Sequence, residues 1–145
     1  MEVPKRIVLD TTALVNHLRV REKPSTVTKL QGSAELATTQ INIFELYFGA
    51  YKTRDVGLNL TSVKGLISTI NILPFTDKAV ESAGKTLAGL EKGGRGMEIR
   101  DLFIGSIALE EGYAVLTENK EHFKQISGLR VVTEREVLEK LDKGH

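Results

Sequence analysis

Ile7-Val8-Leu9-Asp10-Thr11-Thr12-Ala13-Leu14-Val15 is the stretch on which the fold class turns. Three apolar residues run into an acid, two hydroxyls follow, and a second apolar group can then open a helix. A continuous apolar run of this kind reads as a strand buried on both faces, as in a parallel sheet. An acid at its C-terminal end lies where open α/β sheets gather their ligands. The question for the remaining sequence is which other groups reach that point.

The chain has 145 residues, 41% of them apolar and 27% charged, the balance of an ordinary globular domain. We expect a single domain over residues 1–145. Lys and Arg number 20 against 19 Asp and Glu, so no global basic field announces a nucleic-acid partner. The chain has no Cys, which excludes disulfides, thiol nucleophiles and Cys-ligated zinc. No apolar run approaches the ~20 residues of a membrane span, and the N-terminus has no signal-peptide core. These features lead us to expect a cytoplasmic protein with no membrane partner.

Strand and helix patterns alternate along the chain. Strands are expected at Arg6–Leu9, Glu35–Thr38, Asn71–Leu73, Tyr113–Leu116 and, as an edge, Arg130–Val132. Helices are expected over Thr12–Leu18, from Pro24-Ser25 to Leu30, over Ile41–Tyr51, along Leu60, Val63, Leu66, Ile67 and Ile70, after an N-cap at Thr76, and over Asp101–Glu110 with Gly112 as its cap. A short polar helix spans Lys120–Ile126. Thr133 and Glu136 form a capping box for the last helix. Ile41–Tyr51 is apolar on more than one face and needs a large buried contact, which a second copy of the chain would supply. Gly93-Gly94-Arg95-Gly96 reads as a flexible loop, either a connector or a substrate-touching segment. Alternation of this kind implies an α/β fold with a mainly parallel sheet of four to five strands and helices on both faces.

Asp10, Glu45 and Asp101 all stand beside strongly apolar segments. A carboxylate there is costly unless paired, and Arg100 is one of few fixed cations nearby. Carboxylates sharing a site repel one another, and a divalent cation relieves that repulsion. Oxygen ligands without Cys and with few His favour Mg²⁺ or Mn²⁺ over zinc. The alternative is structural. Each acid lies near an expected helix N-terminus, where a carboxylate gains about 0.3–1 kcal/mol, and Asn42 with Glu45 could form a capping pair. No nucleophile set of the Ser/His/Asp or Cys/His kind is visible.

Four segments in order carry a resemblance: Val8-Leu9-Asp10-Thr11-Thr12-Ala13-Leu14, Asn42-Ile43-Phe44-Glu45-Leu46-Tyr47-Phe48-Gly49-Ala50, Arg100-Asp101-Leu102-Phe103-Ile104-Gly105-Ser106-Ile107-Ala108 and Val115-Leu116-Thr117-Glu118-Asn119-Lys120-Glu121-His122-Phe123. Through them the chain resembles a PIN-domain ribonuclease of the VapC toxin type over nearly its full length. The resemblance implies a three-layer α/β/α sandwich whose strand ends gather acids around one or two Mg²⁺ or Mn²⁺ ions. It also implies an endoribonuclease that hydrolyses RNA phosphodiesters with a metal-activated water, leaving 5′-phosphate and 3′-hydroxyl ends. A small VapB-like antitoxin would insert a segment into its active-site groove. By position, Asp10, Glu45 and Asp101 match the metal-holding acids. Thr12 matches a hydroxyl that orients the first acid, and Thr117 matches the hydroxyl after the fourth strand. Where many relatives carry a fourth acid this chain has Asn119, which leaves a second metal site open: Asn119 could ligate through its carbonyl or hold a metal-bound water, and Glu98, one helical turn before Asp101, either compensates or is a solvated first-turn acid. His122, Glu118 and Glu121 read as surface residues.

Arg19, Arg21, Lys23, Lys52, Arg54, Lys92, Arg95, Arg100, Lys120 and Lys124 are candidates for phosphate contact, with Arg95 and Lys120 foremost. Three other readings are open. A PIN nuclease could process RNA without being a toxin, or a PIN-like module could bind without cutting. Phosphoryl transfer to Asp10, as in haloacid-dehalogenase-like enzymes or receiver domains, fits poorly, because Thr12 stands where the former need a second acid and no acidic pair precedes the first strand.

Overall fold

The computed structural model describes residues 2–19 and 22–143. β1 (Arg6–Leu9), β2 (Glu35–Thr39), β3 (Asn71–Leu73), β4 (Ala114–Leu116) and β5 (Val131–Val132) form one sheet in the order β3-β2-β1-β4-β5. All four pairings are parallel, as the apolar strands require. The chain builds outward from β1 through β2 to β3, then crosses back to place β4 on the other side of β1. The strand order therefore reverses between β1 and β4, which opens a crevice at their C-terminal ends.

Alternation along each strand divides the core into two layers. Ile7, Leu9, Leu36, Leu116 and Val132 face one cluster, built with α1 (Thr11–Arg19), α2 (Thr26–Leu30), α3 (Gln40–Tyr51), α4 (Val56–Ile67) and α8 (Glu134–Lys143). Val8, Ala37, Leu73, Val115 and Val131 face the other, covered by α5 (Asp77–Lys92), α6 (Ile99–Glu111) and the short α7 (Lys120–Phe123). The expected α/β/α layering is what forms, and the strands match the sequence reading to within a residue or so.

Local chemistry sets the helix boundaries. Thr76 caps α5 by accepting from the Ala79 amide, and Gly112 ends α6 at φ 78°, in the left-handed region that favours glycine. Thr133 and Glu136 exchange side-chain-to-amide bonds of 3.1 and 2.9 Å, a complete capping box. Three expectations need correction. α4 starts at Val56 because Asp55 caps it, and it ends at Ile67, before Ile70. α7 stops at Phe123 rather than Ile126. Thr39, not Asn42, caps α3 by accepting from the Asn42 amide. The proposed Asn42–Glu45 capping pair does not form.

Arg6, Glu35 and Tyr113 tie the N-terminal strand ends together. Arg6 Nε donates to Glu35 at 3.0 Å, its guanidinium lies 4.3 Å from the Tyr113 ring centroid, and the Tyr113 hydroxyl donates to the same carboxylate. The phenol first, and the guanidinium next, hold the Glu35 carboxyl below its ordinary value.

Gly105 is where α6 meets the segment after β4. A Cβ there would lie 2.3 Å from Ile126 Cδ1, 3.2 Å from Leu129 Cδ2 and 3.3 Å from Phe123 Cδ1. Phe123 and Ile126 are fully buried and have little room to retreat. Gly105→Ala is expected to lower unfolding stability by about 1–3 kcal/mol through overpacking, measured as a lower denaturant midpoint. An unchanged midpoint would show that α6 can shift away.

Candidate active site

The crevice between β1 and β4 is built around Asp10. Its amide continues the sheet ladder by donating to the Leu116 carbonyl at 3.0 Å, which fixes the backbone just past the last strand residue. Only 3% of Asp10 is exposed. Thr117, at the equivalent place after β4, donates its hydroxyl to Asp10 Oδ2 at 2.7 Å. Asp10 Oδ1 accepts from the Thr11 amide at 2.8 Å and from Asn42 Nδ2 at 3.1 Å. A buried carboxylate is tolerated when donors surround it, and here three elements supply them.

Two helices bring the remaining acids to the same rim. Glu45 lies on α3, one turn beyond Asn42, and its Oε1 accepts the Thr11 hydroxyl at 2.5 Å. Asp101 lies in the first turn of α6 and is 1% exposed. Its Oδ2 is 3.2 Å from Nδ1 of His122 on α7.

Arg100 sits among the three acids. Nε and Nη2 make a two-point contact with Glu45 at 2.6 and 2.8 Å. Nη2 also reaches Asp10 Oδ1 at 2.6 Å, and Nη1 reaches Asp101 Oδ1 at 2.6 Å. Burial alone would push the guanidinium down, but the Glu45 hydrogen bonds and the Asp10 charge outweigh it and hold Arg100 above its ordinary value. The site thus contains three acids from three distant parts of the chain within reach of one planar cation.

Matching with the family model of the PIN domain extends over residues 7–129, from the first strand to past α7. The chain belongs to the PIN domain family. Relatives include the tRNA(fMet)-specific endonuclease VapC of Shigella flexneri, 26% identical over 127 residues, 86% of this chain and 95% of that protein. Ribonuclease VapC2 of Haemophilus influenzae is 25% identical over 125 residues, with the same shares. Among solved structures, a DNA-bound VapBC complex from Salmonella typhimurium is similar at a TM-score of 0.78 and 27% identity, covering 89% of this chain and 98% of that one.

In this PIN domain the three predicted acids and Thr117 come together, and other predicted residues do not join them. Thr12 is exposed and bonds none of the acids. The hydroxyl on the cluster belongs to Thr11, because the helix starts immediately after Asp10 and adjacent helical residues point about 100° apart. Asn119 and Glu98 are both exposed, and neither side chain forms a hydrogen bond with the cluster. Lys120 bonds both oxygens of Glu136, at 2.7 and 2.8 Å, and so faces α8 rather than the pocket. Arg95 is exposed and reaches Gln125 at 3.3 Å. Arg21 lies outside the described residues. Asn42 and His122 contact the cluster although the sequence reading gave them no part in it. A buried amide inside the apolar run Ile41–Phe44 was the signal for Asn42. Nothing local in the sequence separates Thr11 from Thr12, since each stands three residues before an apolar position, Leu14 or Val15.

The donor set consists of hard oxygens, the kind Mg²⁺ and Mn²⁺ take. As the described residues stand, no group of three or more His, Asp or Glu forms a ready metal cluster. Arg100 fills the space between the carboxylates and is itself the evidence that a cation fits among them. Removing the Asp10 Oδ2 donor with Thr117→Val should cost about 1–3 kcal/mol, the penalty for leaving a buried acceptor unsatisfied, visible as a lower urea midpoint. No change would mean that another donor takes over.

Proposed function

We propose that this chain is a metal-dependent endoribonuclease of the VapC type, the toxin of a toxin–antitoxin pair. The observation that carries this reading is the convergence of Asp10, Glu45 and Asp101 on one cation at the C-terminal rim of a PIN-domain sheet. VapC relatives named as ribonucleases and endonucleases support the class of reaction.

Asp10, Glu45 and Asp101 are the residues that would hold Mg²⁺ or Mn²⁺, with one or two ions in the pocket. Such an ion activates a water for attack on a phosphodiester and offsets charge building on the phosphate. The protein's own groups prepare the pocket. Thr117, Asn42 and the Thr11 amide fix Asp10 from both sides, so its carboxylate needs no reorganisation when a cation arrives. The Thr11 hydroxyl orients Glu45, and His122 holds the second oxygen of Asp101 at the open edge of the site. Asp10 and Asp101 are almost wholly shielded from water, which strengthens their pull on a cation. His122 is the added side chain in contact with the acids, while the Asn119 amide supports the site by donating to Thr117. Lys120 is committed to Glu136, so RNA phosphates must be gripped by other cations, among them Arg19, which lines with Glu45 the groove between α1, α3 and α4.

That groove also supports a protein partner. Val15, Leu46, Ala50, Leu58 and Val63 line it, it runs up to Glu45, and a small VapB-like antitoxin would lie along it. The structures of VapBC complexes from Salmonella typhimurium and Rickettsia felis are those of such toxin–antitoxin pairs. On the outer face of α3, Phe44, Phe48 and Tyr51 are more than half exposed, and Phe44 stacks on Phe48. An apolar patch of this kind suits a second copy of the chain.

Asp10→Asn and Asp101→Asn should each lower cleavage of a single-stranded RNA by at least about a hundredfold, since even indirect supports of a metal site commonly cost 10–100-fold. Far-UV circular dichroism should stay native, and EDTA should abolish wild-type cleavage. Full activity in either variant, or cleavage indifferent to EDTA, would overturn this function. A folded wild type without any cleavage would leave a PIN module that binds without cutting.

A further inference from the structure

Each of the six carboxylate oxygens in the pocket already has a hydrogen-bonding partner. Asp10 Oδ2 is held by Thr117 and Asp101 Oδ2 by His122. Arg100 reaches the other four: Asp10 Oδ1, which also accepts from the Thr11 amide and Asn42; both oxygens of Glu45, of which Oε1 also accepts the Thr11 hydroxyl; and Asp101 Oδ1. One guanidinium thus contacts four of the six oxygens and all three acids. Arginine remains charged under all ordinary conditions, so it does not release them by losing a proton. It can release them only by moving. Its side chain is 27% exposed, against 4% and 1% for Asp10 and Asp101, so it approaches from the open side of the pocket and has a path out.

The balance of charge favours such an exchange. Three carboxylates against one guanidinium leave two formal negative charges in a mostly buried site. A divalent ion compensates more of that charge in a smaller volume, and the freed guanidinium regains water. Sequence places the device: Arg100 immediately precedes Asp101 in the first turn of α6, so rotation of the side chain alone moves the cation without unwinding the helix.

We propose that Arg100 is an internal plug of the active site, a tethered cation that stabilises the metal-free pocket and must swing outward before a divalent ion can bind. The inference rests on the metal-dependent reading of the same pocket. Apparent metal affinity is then the intrinsic affinity reduced by the fraction of molecules whose pocket is open.

The test is titration of the full chain with Mn²⁺, by calorimetry and by the electron-paramagnetic-resonance signal of the free ion. Wild type is compared with Arg100→Gln and Arg100→Lys. Arg100→Gln should bind Mn²⁺ at least about tenfold more tightly than wild type, because the closed state is lost. In EDTA its melting temperature should fall below that of wild type, and saturating Mn²⁺ should raise it by more than it raises wild type. Arg100→Lys, which keeps the charge without the planar fork, should fall between the two. Equal or weaker Mn²⁺ binding by Arg100→Gln, with wild type still binding, would overturn the plug and leave the nuclease reading intact. Absence of Mn²⁺ binding by both would overturn the metal-dependent reading and the plug with it. If Arg100→Gln does not fold, the Arg100 Nε–H resonance of wild type decides. Saturation with Mg²⁺ should move it to a solvent-exchanging position, and an unmoved resonance would overturn the proposal.

Discussion

Like charges brought together in a poorly solvated pocket repel, and the structure around β1 is organised to offset that repulsion. Around Asp10, Glu45 and Asp101, the guanidinium of Arg100 offsets the charge, Thr117, Asn42 and Thr11 donate to the acids, and His122 meets the outer oxygen of Asp101. The sheet order makes the meeting possible. With β2 and β4 flanking β1, the segments after β1, β2 and β4 open onto the same rim, and α6 adds its first turn from the opposite layer.

The same constraint accounts for the buried polar residues. Thr38 donates to the Leu9 carbonyl, Thr39 caps α3, and Asn42 and Thr117 serve Asp10. All four are buried. They form a polar lining at one end of an otherwise apolar sheet. At the opposite end, Arg6, Glu35 and Tyr113 form a surface tie, and Arg130 donates to the Glu2 carbonyl. Chemistry and mere fastening are thus at opposite ends of the strands, as expected for an open parallel sheet.

The layering and the three acids were legible in the sequence because each has a local signature. Buried strands such as Ile7–Leu9 are unbroken apolar runs, and an acid inside apolar sequence is conspicuous. Thr76, Gly112 and the Thr133–Glu136 pair were legible for the same reason, since caps are written within a few residues. What could not be read depended on side-chain direction or on partners distant in sequence. Thr11 and Thr12 are chemically alike, and only the phase of α1 separates them. Lys120 looked free until Glu136, sixteen positions later, was folded against it. His122 sat in a polar stretch, and nothing local announced that Asp101 would lie beside it. Arg100 was visible as a nearby cation, but its contact with all three acids required the tertiary structure.

α3 carries two kinds of information on one rigid rod. Its inward side presents Asn42 and Glu45 to the pocket, while Phe44, Phe48 and Tyr51 lean into solvent from the other side. Neighbouring positions in a helix share a backbone, so the exposed aromatic face and the carboxylate face of α3 are carried by one rigid element. A substitution on the outer surface of α3 is therefore made on the same rod that carries Asn42 and Glu45.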